Sequence, residues 1–206
     1  MNKLFAIGFQ KTGTTSLTYA ARLLGHRLGN PSNKIMDLIK AGEITRGEPD
    51  IEEKIMKAVF EVCDTKDGLN DSPAPFVFDQ LDERYPGSKF VLTYRSPDSW
   101  IKSLKSHFPG KTNALRHWMY GLDSVTGNED KIKEIYLSQN QKIRDYFADR
   151  PEDFLELNFE NGDGWYELVT FLGKDGVGSF PQRNTKRKRI KRNKKRAKLK
   201  KSGKAT

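Results

Sequence analysis

The sequence predicts an α/β fold with a central parallel sheet flanked by helices, and three observations predict it. Short apolar runs at residues 4–7, 89–94 and 154–158 read as buried strands. Longer segments with apolar residues at helical spacing lie between them, so strands and helices alternate. The first strand runs through a glycine-bounded loop, Gly8 to Gly13, directly into a helix. With 206 residues the chain can bury a sizeable core without a covalent staple.

Taken in order, Leu4, Phe5, Ala6 and Ile7 make the first strand, and Leu17, Ala20, Ala21 and Leu24 make the core stripe of the first helix. Residues 25–31 form a turn with room for one short strand. Helical spacing returns over 34–41 (Ile35, Leu38, Ile39) and 50–60 (Ile51, Ile55, Met56, Val59), with Gly42 and Gly47-Glu48-Pro49 between. Residues 59–63 are expected to pass into a second strand, followed by a polar loop over 64–71. Pro73 and Pro75 open a helix through Phe76, Phe78 and Leu81. The strand at 89–94 delivers Arg95-Ser96-Pro97, which starts another helix with Ser96 as N-cap and Pro97 at its first position. Residues 109–128, with Gly110, Gly121 and Gly127, are expected to be a loose substrate-side segment. A long amphipathic helix over 129–147, a strand over 154–158 and a helix over 164–173 complete the body.

Charge divides the chain into a body, residues 1–181, and a basic tail, residues 182–206. Of the 37 Lys and Arg, 14 fall between Arg183 and Lys204 with no acidic residue among them. The other 23 stand against all 27 acidic residues, so the body carries −4 while the whole chain carries +10. The tail has no aromatic residue to stack on bases. It is expected to be a solvated, largely disordered extension, with three roles open to it: non-specific polyanion binding, a nuclear address, or attraction of a sulfated or acidic acceptor. Cys63 is the single cysteine, which excludes an intrachain disulfide framework and reads as a small buried hydrophobe. No stretch approaches the ~20 apolar residues of a membrane span, and the N-terminus lacks a signal-peptide pattern. A soluble, cytoplasmic protein is therefore expected. No histidine pair has metal-ligand spacing, so no metal is expected either.

The chemistry concentrates in residues 8–16. Strand, glycine-bounded loop and helix together form a phosphate cradle, where backbone N–H groups and the positive end of the helix dipole meet an anion. The spacing Gly8-x-x-x-x-Gly13 fits the Walker A loop, but Thr14 stands where a nucleoside-triphosphatase carries its lysine, and the loop's lysine is Lys11. A cationic loop followed by three hydroxyls suits a phosphate or sulfate ester without the usual lysine and Mg²⁺-binding hydroxyl pair.

The run Lys11-Thr12-Gly13-Thr14-Thr15-Ser16-Leu17 resembles the 5′-phosphosulfate loop of the sulfotransferase superfamily. Those enzymes take a sulfuryl group from 3′-phosphoadenosine 5′-phosphosulfate (PAPS). Arg95 at a strand end, with Ser103 eight residues later, resembles the family's 3′-phosphate motif. The closing Phe171-Leu172-Gly173 and Phe180-Pro181 are similar to the family's C-terminal end. The resemblance implies a P-loop-like, three-layer fold and PAPS as co-substrate without a metal. Lys11, Thr12, Gly13, Thr14, Thr15 and Ser16 would then hold the 5′-phosphosulfate, and Arg95 and Ser103 the 3′-phosphate. It implies a hydroxyl or amine acceptor on a small molecule or glycan. Asp71, sixty residues after Lys11 and just before Pro73, stands where many members place a catalytic histidine and some an acidic residue. It is the candidate base or, alternatively, a helix cap, with Asp64 and His107 in reserve; Lys11 and Ser103 complete the catalytic set. Two departures are plain. The adenine-stacking tryptophan of cytosolic members is Ser16 here, and the C-terminal Arg-Lys-Gly clamp is absent. The rival functions are an Mg²⁺-dependent small-molecule or nucleotide kinase and an inactive polyanion-binding protein on the same fold.

Overall fold

A computed structural model of the chain describes residues 2–175 and 178–181. The basic tail, residues 182–206, lies outside the described residues. Among the described residues four strands, β1 (Leu4–Ala6), β2 (Gly68–Asn70), β3 (Lys89–Tyr94) and β4 (Phe154–Asn158), form one parallel sheet in the order β2-β1-β3-β4. Among the described residues eight helices cover it: α1 (Thr14–Leu23), α2 (Pro31–Ala41), α3 (Ile51–Asp64), α4 (Phe78–Arg84), α5 (Pro97–His107), α6 (Ala114–Tyr120), α7 (Glu129–Tyr146) and α8 (Trp165–Leu172). This is the expected P-loop-like α/β arrangement.

Alternation along the strands sorts the core into two layers. Leu4, Ala6, Val91 and Leu157 pack beneath α1 and α8, against Leu17, Ala20, Ala21 and Leu168. Phe5, Ile7, Phe90 and Leu92 face the larger layer built by α3, α4, α5 and α7. Phe5, Phe9, Phe78 and Phe90 are fully buried there, and each contributes about 1.5–3 kcal/mol by leaving water. Cys63 is buried and free, and burial pushes its thiol up to about 12, so it is the small hydrophobe the sequence suggested. No helix among the described residues is long and apolar enough to cross a membrane.

Four local expectations are corrected. Residues 59–63 do not turn into a strand, because Ile55, Val59 and Cys63 keep helical spacing on the buried face of α3 through to Asp64. The second strand is instead Gly68–Asn70, inside the segment expected as loop. Gly68 makes it possible: a Cβ there would lie 1.8 Å from the Leu4 carbonyl oxygen, so only glycine lets β2 approach β1. The loose segment at 109–128 contains α6, whose first turn is capped by Asn113 Oδ1 accepting from the Arg116 N–H at 2.9 Å. The helix expected from Pro73 opens as a 3-10 turn at Ala74–Phe76 before α4 begins.

Candidate functional site

The loop after β1 is packed too closely for side chains at its glycines. A Cβ on Gly8 would sit 1.9 Å from Thr93 Oγ1 and 2.7 Å from the Thr93 backbone. Gly13 has a φ of 118°, and a Cβ there would meet the Phe159 ring at 2.4 Å. Polar contacts then pin the loop to the sheet. The Thr12 hydroxyl lies 2.6 Å from the Phe9 carbonyl oxygen and 2.6 Å from Thr93 Oγ1. The Trp100 indole N–H donates to the Gln10 carbonyl at 2.8 Å, and the Gln10 amide donates to the Ser72 hydroxyl. At the start of α1 there is no acidic residue in the first turn and no side-chain cap on Gly13. By helix geometry, N–H groups of that turn face outward and carry the positive end of the dipole.

That helix end opens on a cavity of about 790 Å³, within the ~300–1,000 Å³ usual for ligand sites. The structure brings nine residues named from the sequence into its lining: Lys11, Thr12, Gly13, Thr14, Thr15, Ser16, Asp71, Arg95 and Ser103. His107 also reaches it. Asp64 does not: its carboxylate accepts from the Tyr85 hydroxyl at 2.6 Å and pairs with Arg84, at the far end of α3.

Two charged residues of the lining adopt a left-handed backbone, Lys11 with φ 74° and Asp71 with φ 71°. Among the described residues no other non-glycine does so. An L-residue there costs roughly 1–2 kcal/mol, less for Asp. The strain sits at the cavity. Burial pushes the Asp71 carboxyl up from its ordinary value, against the Ser72 N–H, the Lys11 charge and the Asn30 side chain, which favour the charged form. Its Oδ1 accepts from the Ser72 N–H at 2.8 Å, while Val77 takes the capping position of α4. The carboxylate caps neither the 3-10 turn nor α4. Near it, the buried Tyr120 hydroxyl and the Arg116 Nε have no hydrogen-bond partner among the described residues. The Arg116 guanidinium stacks over Phe108 at 4.1 Å.

Arg95 stands at the carboxyl end of β3, where open α/β sheets hold ligands. Tyr136 fixes its main chain: the Arg95 N–H donates to the tyrosine oxygen at 3.0 Å, and the tyrosine hydroxyl donates back to the Arg95 carbonyl at 2.9 Å. Tyr136 in turn stacks on Trp100, with centroids 4.0 Å apart. The Arg95 side chain reaches Lys11, its NH1 donating to the Lys11 carbonyl at 3.3 Å. Ser96 occupies the N-cap position of α5, with Pro97 at the first helical position, yet its hydroxyl donates to Glu160 at 3.0 Å instead of capping the helix.

Glu160, Arg116, Tyr136 and Phe159 are the site-forming residues that sequence reasoning passed over. Glu160 and Phe159 carried a usable signal, because they follow the carboxyl end of β4 just as Arg95 follows β3. Arg116 and Tyr136 carried none beyond their helices. One wall of the cavity is aromatic: Phe159, packed against Gly13, joins Trp165, Tyr166 and Phe180 in the lining.

Sheet order, glycine loop and cavity position define a P-loop-like α/β protein. The crystal structure of shikimate kinase from Bacteroides thetaiotaomicron shares that fold, with a TM-score of 0.51 at 16% identity over 84% of this chain and 94% of that one. Likeness at this identity speaks for the fold alone. The family model of the sulfotransferase domain matches residues 3–125 and 107–189, and the chain belongs to that family. No curated protein matches.

Proposed function

We propose that this chain moves a sulfuryl group from PAPS to a hydroxyl or amine of a small-molecule or glycan acceptor. One observation carries the reading: the cationic loop and the Arg95–Ser103 pair line the same cavity, so a single ligand with two anionic ends can engage both. PAPS is such a ligand. The first turn of α1, with Thr14, Thr15 and Ser16, is suited to its 5′-phosphate. Arg95 and Ser103 are suited to its 3′-phosphate, which a guanidinium fork recognises well. The aromatic wall of Trp165, Tyr166 and Phe180 offers the base a stacking surface in place of the tryptophan that Ser16 replaces.

Sulfuryl transfer, like phosphoryl transfer, passes through a loose transition state, so positioning and electrostatics dominate. Lys11 stabilises charge on the bridging oxygen as it leaves. Asp71 removes the acceptor's proton, a role for which a raised carboxyl is better matched than an ordinary one. Ser103 aligns the donor. The body, residues 1–181, does this work, and the tail, residues 182–206, adds charge. A kinase reading lacks the lysine after Gly13 on which the Walker loop depends. Calorimetric titration with adenosine 3′,5′-bisphosphate, in parallel with ATP and Mg²⁺, tests the donor assignment.

A further inference from the structure

The donors grouped around Arg95 are already engaged by an anion of the protein itself. Glu160 Oε1 accepts from Arg95 Nε at 2.8 Å and from the Ser99 hydroxyl at 2.7 Å. Its Oε2 accepts from the Ser96 N–H at 3.2 Å and the Ser96 hydroxyl at 3.0 Å. A guanidinium, a main-chain N–H and two hydroxyls converging on one point is the donor set that a phosphate takes. Burial pushes the Glu160 carboxyl up, but the bonds from Ser99, Arg95 and Ser96 outweigh it and hold it down at about 2. The side chain is 38% exposed, so it can swing into water without unpacking the core.

Two anions cannot share these donors without strong repulsion. Resting on the PAPS reading, we infer that Glu160 is a specificity-determining residue, an internal counter-anion that occupies the 3′-phosphate subsite and is displaced by a ligand carrying that phosphate. In place, it keeps Arg95, Ser96 and Ser99 aimed at one point. Displaced, it leaves them to the ligand and sets the cost of binding it. The opposite chemistry is a ribose with a free 3′-hydroxyl, which would donate to Glu160 where it stands, as acidic residues read ribose hydroxyls elsewhere. The two differ in sign when the charge is removed.

The test uses the full chain and two probes, adenosine 3′,5′-bisphosphate and adenosine 5′-monophosphate, titrated calorimetrically into wild type and Glu160→Gln. Glutamine keeps length and an acceptor but loses the charge. The variant should bind the bisphosphate about tenfold more tightly and the monophosphate within about twofold of wild type. Glu160→Ala should shift in the same direction, which guards against a folding defect peculiar to one variant. Equal changes for both probes, or weaker bisphosphate binding in both variants, overturn the inference while leaving PAPS as donor. A wild type that binds the bisphosphate no better than the monophosphate overturns the donor reading and the inference with it.

Discussion

The Arg95 main chain and the Tyr136 hydroxyl exchange two hydrogen bonds, at 3.0 and 2.9 Å, across β3 and α7. A buried tyrosine thus holds the end of a strand at the point where its arginine turns toward the cavity. Tyr136→Phe keeps the stacking on Trp100 but strips both partners from the Arg95 backbone. The expected cost is about 2 kcal/mol, which lowers the melting temperature by roughly 4–8 °C in a chain of this size. Thermal unfolding measures it, and an unchanged melting temperature would mean that water satisfies the strand end instead.

Asp71→Asn separates base from scaffold, because asparagine retains an oxygen to accept from the Ser72 N–H. Turnover should fall about 10²–10⁴-fold, the range for losing a general base, with bisphosphate binding little changed. Normal turnover would remove Asp71 from the chemistry.

The raised Asp71 carboxyl also sets a sign for stability. Below its ordinary value of 3.8 the group is protonated whether folded or unfolded, so it makes no difference. As pH rises from there, the unfolded chain ionises freely while the folded protein resists. Wild type therefore loses stability relative to the D71N variant as pH climbs through the raised value. Wild-type turnover should climb over the same window, since the base must be ionised. Melting curves of both proteins across pH check this; a wild type that gains stability relative to D71N as pH rises contradicts it.

A chain ending at Pro181 retains the described core, including Phe180 against Trp165 at 5.1 Å, and carries −4 instead of +10. Salt-dependent retention on heparin should disappear with residues 182–206, while cooperative unfolding persists. Loss of cooperative unfolding would make the tail part of the folded body.

The sequence made β1, β3, β4 and the loop legible because each is local: an apolar run, two glycines and a helix stripe lie within a few residues of one another. Lys11, Asp71, Arg95 and Ser103 were legible through their spacing in a resemblance, and their meeting in one cavity is a property of the parallel topology. β2 was not legible. It has one apolar side chain, Leu69, and exists because Gly68 allows contact with Leu4 across the chain. Glu160 was hidden for the same kind of reason. Its place just after β4 is a usable signal for the site, but that it meets Arg95, 65 residues earlier, follows only from β4 pairing with β3.

The most direct measurement is the melting temperature with adenosine 3′,5′-bisphosphate, which needs no knowledge of the acceptor. A ligand at about a hundred times its dissociation constant stabilises the native state by ~2.7 kcal/mol. With roughly 2–4 °C per kcal/mol for a chain of this length, the bisphosphate should raise melting by about 5–10 °C without added metal. Arg95→Ala should remove most of that gain. Stabilisation by ATP with Mg²⁺ and none by the bisphosphate would contradict the donor assignment, and silence from both would leave a polyanion-binding protein on a sulfotransferase fold.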